Sequence, residues 1–199
     1  MHSLTWRFFV AASIMFVALS CEVETTTTTK TDTPVPEPAS ATYTIKKGGH
    51  TTQSPLKFVE TSAIRFEATF DSTAIYTTLL PSNQADINKL YGLSDCQTDH
   101  HTNSARFGWR WYEGRLEIHA YTYSNKKRNT AYITSVQPGQ TNRYELVLGE
   151  KAYTFQVNDT KVVLPRHCST AGSHYQLYPY FGGDETAPHD ITIWIRYIK

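Results

Sequence analysis

Three arginines, a histidine, two glutamates and three tyrosines fall within residues 103–123, NSARFGWRWYEGRLEIHAYTY, several of them at spacings that bear on chemistry. Arg106 and Arg110 are four residues apart in a run that alternates polar and apolar. Both guanidinium groups therefore leave one face of an extended strand. A guanidinium offers a planar fork of donors that matches a carboxylate or sulfate two bonds at a time. Glu117, His119, Tyr121 and Tyr123 follow at every second position and share a face in the same way. An imidazole beside a carboxylate and a phenol can exchange a proton near neutral pH. Each of these residues also has a structural reading. The arginines could pair with Glu117 and Glu145 across a sheet, the histidine could be a fixed strand residue, and the tyrosines could be half-buried sheet side chains. Asn103, at the head of the stretch, is a further contact candidate.

The elements that must position these groups are strands. Phe107, Trp109 and Trp111 lie opposite Arg106, Gly108 and Arg110, while Leu116, Ile118, Ala120 and Thr122 lie opposite Glu117 and His119. With a turn at residues 112–115 this predicts a hairpin with one face to bury and one polar face. Alternation also predicts strands over 64–70, 74–80, 131–136, 144–148, 152–157, 161–164, 175–181 (interrupted by Pro179) and 190–198. Residues 82–90 are the one candidate helix, capped by Ser82 and lined by Ala85, Ile87 and Leu90. Residues 92–102 read as a loop and 126–129 as a basic turn. Short strands at regular spacing, with no αβ alternation, predict an all-β antiparallel sandwich with at most one short helix.

The chain has 199 residues. Residues 1–20 carry Arg7 and then an apolar run too short to span a bilayer, which reads as a signal peptide. The run ends at Ala18-Leu19-Ser20-Cys21, small residues before a cysteine, similar to the lipobox of bacterial lipoproteins, so Cys21 is expected to take lipid after cleavage. Residues 21–41 are rich in threonine and proline and read as an extended tether. Residues 42–199 are then a single β-sandwich domain, exported, lipid-anchored to the bacterial cell envelope with the outer membrane favoured, and expected to be monomeric. Two cysteines remain, Cys96 and Cys168, an even pair for an oxidising compartment, and a disulfide between them is predicted. Closing so long a loop contributes about 4 kcal/mol on the chain-entropy model. Without Arg7, the 19 basic residues become 18, against 18 acidic ones, and this balance argues against nucleic acid as a partner. Thirteen tyrosines and four tryptophans suit a protein that meets polar ligands through flat faces.

Other chemistries find less support. His100, His101, His167 and His189 fit no closed zinc spacing, so no metal site is predicted there. Asp184, Glu185 and Asp190 could hold a structural calcium, or form a solvated acidic loop; no cofactor is otherwise expected. Glycoside hydrolysis needs two facing carboxylates, and Glu117 has no evident partner.

Two family resemblances enter here. The run YELVLGEKAYTFQVNDTKVVLP, residues 144–165, resembles a hairpin of concanavalin-A-like jelly rolls. That implies two curved antiparallel sheets, the concave one gripping sugar. Arg106-Phe107-Gly108-Trp109-Arg110, Glu117-Ile118-His119 and His174-Tyr175-Gln176-Leu177-Tyr178-Pro179-Tyr180 occur in the order of three motif strands of jelly-roll alginate lyases. The resemblance implies anion contacts from Arg106 and Arg110, proton abstraction assisted by His119, and Tyr180 as acid or base. Gly108, Glu117 and Gln176 depart from that pattern. A carboxylate at Glu117 would repel an acidic sugar where the lyases place a neutral amide.

The expectation is therefore a surface lipoprotein whose jelly roll binds an acidic polysaccharide through Asn103, Arg106, Arg110, Glu117, His119, Tyr121, Gln176, Tyr178 and Tyr180. The alternative is a small polysaccharide lyase using His119 and Tyr180 for β-elimination beside a uronate. A structural envelope protein is the third reading.

Overall fold

The computed structural model describes residues 40–168 and 172–198. The signal peptide, Cys21 and nearly all of the tether lie outside the described residues. Twelve strands form the domain: β1 Ser40–Ile45, β2 Phe58–Glu60, β3 Ala63–Phe70, β4 Asn88–Ser94, β5 Ser104–Tyr112, β6 Arg115–Ser124, β7 Lys127–Val136, β8 Thr141–Leu148, β9 Ala152–Val157, β10 Thr160–Pro165, β11 Ser173–Leu177 and β12 Ile191–Ile198. They make two six-stranded sheets, ordered β1-β12-β3-β8-β9-β10 and β2-β11-β4-β5-β6-β7, with every pairing antiparallel. This is the predicted all-β sandwich. Only two short 3-10 turns, Ser72–Ala74 and Pro81–Ala85, break the β structure among the described residues.

The core lies between the sheets, and alternation decides what enters it. Ile64, Phe66, Ala68 and Phe70 point inward from β3, and Tyr153, Phe155 and Val157 from β9. Phe107 and Trp109 meet them from β5, the Phe107 ring edge-on to Phe155 at 5.2 Å and to Tyr144 at 5.2 Å. The β5–β6 hairpin turns at Glu113-Gly114, both with positive φ, which glycine accepts freely at the second position.

Four expectations are corrected. Residues 82–90 are not a helix: after the 3-10 turn the chain enters β4, whose Leu90, Tyr91 and Leu93 form the continuous apolar run of a strand covered on its inner side. Residues 74–80 bury Ala74, Tyr76 and Thr78 in alternation but join no ladder, so they are a covering segment rather than a strand. Gly92 to Ser94, read as loop, lie within β4. Residues 126–129 are mostly strand: β7 starts at Lys127, and the turn is Asn125-Lys126, where both φ angles are positive. Two strands escaped notice. β1 begins at Ser40, two residues ahead of the expected domain start, and β2 is three residues long.

The predicted disulfide is present. Cys96 and Cys168 are bonded with Cα atoms 6.3 Å apart, and their sequence separation is 72 residues. Beside it, Asp95 is fully buried and gathers donors from three strands' worth of chain: Arg166 Nε at 2.6 Å and Nη2 at 2.9 Å, the Tyr153 hydroxyl at 2.6 Å and its neighbour's Cys96 N–H at 2.8 Å. This joint ties the end of β4 to the opposite sheet and fixes the start of the loop that leads to β5.

Candidate functional site

The outer face of the second sheet collects the polar groups in cross-strand rows, because register brings every second residue of each strand to that side. One row runs Tyr180, Lys89, Gly108, His119, Tyr132. The next runs Leu177, Gly92, Arg106, Tyr121, Thr130. A third holds Ser94, Ser104, Tyr123 and Arg128, and Arg110 pairs with Glu117 beyond the first. Lys89 joins Gly92 on this side through a bulge: Leu90 and Tyr91 together oppose Phe107, and both point inward. Glycine is required at Gly92, where a Cβ would stand 2.1 Å from the Ala105 carbonyl oxygen and 2.7 Å from Arg106 Cγ. The arginine stem lies across that gap.

Arg106 is 7% exposed, and its Nε has no hydrogen-bond partner. Among the described residues no carboxylate pairs with it. Its surroundings are phenolic: its guanidinium carbon sits 5.9 Å from the Tyr121 ring centre, with Tyr123, Tyr175 and Tyr180 close enough to favour its charge. Burial nonetheless pulls its pKa below the ordinary arginine value. The Lys89 ammonium stands 4.7 Å from the Tyr121 ring centre and 5.9 Å from that of Tyr180, and it donates to the Ile87 carbonyl at 2.7 Å. Burial, then Arg106 and Arg128, push the Lys89 pKa down to about 8. Two cations thus flank one tyrosine without a carboxylate between them.

Arg106, Tyr175, Leu177 and Tyr180 line a hollow of about 400 Å³. Its walls are the segment 51–56 on one side and His100 on the other. The Tyr175 hydroxyl accepts from the His100 N–H at 2.8 Å and lies 3.0 Å from its Nδ1, which fixes the loop as a wall. Tyr180 stacks on His50 with ring centres 5.4 Å apart and planes at 14°.

The second constellation is tighter and more self-contained. Glu117 accepts from Arg110 Nε at 2.8 Å and lies 3.1 Å from His119 Nε2. Arg110 also donates Nη1 to the Ala85 carbonyl at 2.6 Å and covers the Tyr112 ring at 4.4 Å. Burial alone would raise the Glu117 pKa, but the bonds and charges of Arg110 and His119 hold it below the usual carboxylate range. Burial lowers the His119 pKa, against the pull of Glu117. A neutral His119 therefore donates from Nε2 to the carboxylate, leaving Nδ1 as its basic nitrogen. His119 is only 5% exposed, with Tyr132 edge-on at 5.7 Å. His119 and Tyr180 share a row but are three strands apart, about 14 Å at the usual strand spacing.

The expected residues thus divide. Arg106, Tyr121 and Tyr180 come together on one face. His119 and Glu117 are on that face but engaged with each other, and Arg110 takes the structural reading, paired to Glu117. Asn103 is not a surface contact: its side chain accepts from the Asn125 N–H at 2.9 Å and donates to Thr98 at 3.3 Å, bracing two turns. Gln176 lies opposite Leu93, so it faces the core; it is 3% exposed and donates to the Gly92 carbonyl at 2.6 Å. Tyr178 turns to the sandwich edge, 5.7 Å from Tyr43 and 5.9 Å from Tyr91, and from there still lines the hollow that Arg106 floors. Lys89, Tyr175 and His100 are the contributors that sequence reasoning missed. A bulged reading of KLYGL would have placed Lys89, and shifting strand parity by one would have placed Tyr175.

Two carboxylates of the acidic loop have protein partners. Glu185 accepts from the Leu79 and Leu80 N–H groups at 2.7 and 2.8 Å, and Asp190 pairs with Lys46 at 2.8 Å. Among the described residues, Asp95, Cys96 and Cys168 stand close enough together to suggest a metal, but both thiols are consumed in the disulfide.

No protein-family model matches the sequence, and no curated protein sequence matches it. Solved structures do. A family 16 glycoside hydrolase endo-glucanase from Bacteroides ovatus superposes with a TM-score of 0.53 at 11% identity, covering 81% of each chain. A non-specific endo-beta-1,3(4)-glucanase of family 16 gives 0.51 at 9% identity over 79% of this chain and 70% of its own. A polysaccharide lyase of family 18 gives 0.50 at 8% identity over 81% and 88%. At such identities the likeness shows the fold: a jelly-roll sandwich.

Proposed function

We propose that the outer face of the second sheet binds an acidic polysaccharide, with Arg106 as the counter-charge for a carboxylate or sulfate. The buried Arg106 guanidinium without a carboxylate partner carries this reading. An uncompensated cation in such a place costs stability, and an anion entering the hollow would offset that cost. Tyr121, Tyr175 and Tyr180 supply faces and hydroxyls for the sugar rings. The polysaccharide-active names of the structural neighbours support the same class of ligand. In this reading residues 1–41 export the domain and hold it, through lipid on Cys21, at the envelope surface, where a polymer is met from outside.

The hydrolases among the neighbours do not extend to hydrolysis here. Strands β4 to β7 place one carboxylate, Glu117, on the outer face, and it is bound to Arg110 and His119. Elimination is the second reading, favoured by the basic Nδ1 of a neutral His119. The 14 Å or so separating His119 from Tyr180 places binding first.

One experiment separates them. The domain is incubated with a panel of uronic-acid polymers while ultraviolet absorbance follows new unsaturated ends, and the same polymers are cast into native gels. Retardation without an absorbance rise is the expected result. A rise that disappears in His119→Ala or Tyr180→Phe would establish the lyase instead, and neither signal would overturn both readings.

Lys89 adds a pH dependence. Its charge is present below about 8 and lost above. Affinity for the acidic polymer therefore falls as pH rises from 7 to 9.5, and binding at pH 9 takes up protons, measurable by calorimetry in buffers of different ionisation enthalpy. Stability moves the other way, because between about 8 and 10.5 the unfolded chain holds a proton that the folded one lacks.

A further inference from the structure

A second hollow, of about 550 Å³, lies across the segment 51–55 from the first. Thr51, Thr52, Ser54, Pro55 and Tyr178 line both, so one thin wall separates them. Their chemistry differs. The first has Arg106 in its floor. The second is bounded by β1, by Tyr43 and Tyr178, and by hydroxyl and amide side chains such as Thr44 and Gln53. Its one charged lining residue is Lys46, and that ammonium is already paired with Asp190 at 2.8 Å. Burial raises the pKa values of Tyr43 and Tyr178, so both phenols stay neutral. Among the described residues β1 is also the outermost strand of its sheet, and no described strand pairs with its outer edge, whose backbone N–H and C=O groups add to the hydroxyls. Two aromatic faces ringed by neutral donors and acceptors, with no net charge, make a site for an uncharged polyhydroxylated ring.

We propose that this hollow is a second glycan subsite that takes a neutral sugar, so that the polymer recognised carries an acidic and an uncharged unit as neighbours. The proposal rests on the acidic-polysaccharide reading of the first hollow and narrows it. A polymer with a charge on every unit would bring a carboxylate against a surface whose one cation, Lys46, is already held by Asp190, and would lose hydration there with little compensation. A neutral unit gains contacts with Tyr43 and Tyr178 at no such cost. The two hollows together select a mixed repeat over a homopolymeric polyuronate.

The test uses native gels cast with three polymers: a polyuronate, an acidic polysaccharide alternating uronate with neutral sugar, and a neutral glucan. The wild-type domain is expected to be retarded most by the alternating polymer, by about tenfold in apparent affinity over the polyuronate. Gln53→Ala, in the surface wall, and Tyr43→Ala should remove that preference while leaving polyuronate retardation unchanged. Thermal unfolding identifies any loss of fold in Tyr43→Ala, and Gln53→Ala carries the test if it occurs. Equal retardation by the alternating polymer and the polyuronate, or variants that weaken both alike, overturns the neutral subsite and leaves the first hollow's reading intact. Retardation by the neutral glucan alone, lost in Tyr43→Ala and untouched by Arg106→Gln, supports the subsite and overturns the acidic reading. No retardation by any polymer overturns both.

Discussion

Arg106→Met is expected to abolish the proposed retention on acidic polysaccharide, weakening affinity a hundredfold or more, yet to leave the domain as stable as before or more so. The two effects have opposite signs because they share one cause. In the free protein the guanidinium is buried, its Nε has no partner, and the Tyr121 ring is its principal compensation. Replacing a buried cation that has no carboxylate partner with an apolar side chain of similar length removes a desolvation cost, which gains on the order of 1 kcal/mol. In the proposed complex the same cation would meet the ligand's anion away from bulk water, and truncating such a pair costs about 2–5 kcal/mol. Thermal unfolding and affinity electrophoresis on one preparation measure both. A variant that unfolds at lower temperature and still binds would reverse the assignment, making Arg106 a structural residue.

Asp95→Ala should cause the largest loss of stability of any single change on the polar residues, about 3–5 kcal/mol. Its carboxylate holds two nitrogens of Arg166 and the Tyr153 hydroxyl in a place with no access to water. Alanine strips Arg166 of its carboxylate and strands a buried phenol. For a domain of this size the unfolding temperature falls by roughly 10 °C. The comparison variant is Glu145→Ala, which breaks a similarly short pair, Arg65 Nε to Glu145 Oε1 at 2.6 Å, that is partly exposed. There the loss stays within about 1 kcal/mol. Equal losses in the two variants, read by denaturant unfolding, would mean that depth does not set the value of an ion pair in this domain. Asp95→Ala should also weaken glycan retention, because the loop it anchors delivers His100 to the wall of the first hollow.

These expectations draw on side chains of unequal legibility. The β5–β6 hairpin and the β8–β9–β10 meander could be read from alternation, since each strand has one face in the core and one in solvent. Cys96 and Cys168 were legible as the two cysteines of the predicted domain. The β4 strand was not, because its inner face reads Leu90-Tyr91-Leu93 with a bulge, and periodicity alone does not separate such a run from a helix. Lys89 was lost with it. Gln176 and Tyr180 were assigned to one face by counting twos, but the ladder ends at Leu177, and the chain bends through Tyr178-Pro179 before Tyr180 pairs with Lys89. Arg106 and Arg110 look equivalent in sequence. What distinguishes them is that Glu117 stands opposite Arg110, whereas Tyr121 stands opposite Arg106, and only register reveals that.

The bulge in β4 has a consequence for anyone wishing to transplant this surface. Lys89 and Gly92 are an odd number of residues apart, yet both look outward, because one supernumerary residue between them is absorbed against Phe107. Deleting Leu90 or Tyr91 would regularise the ladder and keep Lys89 and Gly92 on one face, two residues apart, at the cost of one apolar side chain in the core. Laying the unbroken run of residues 89–92 onto an ideal pleated ribbon would instead turn either the ammonium or the glycine inward, since this run holds both on the outer side only through an imperfection in the backbone.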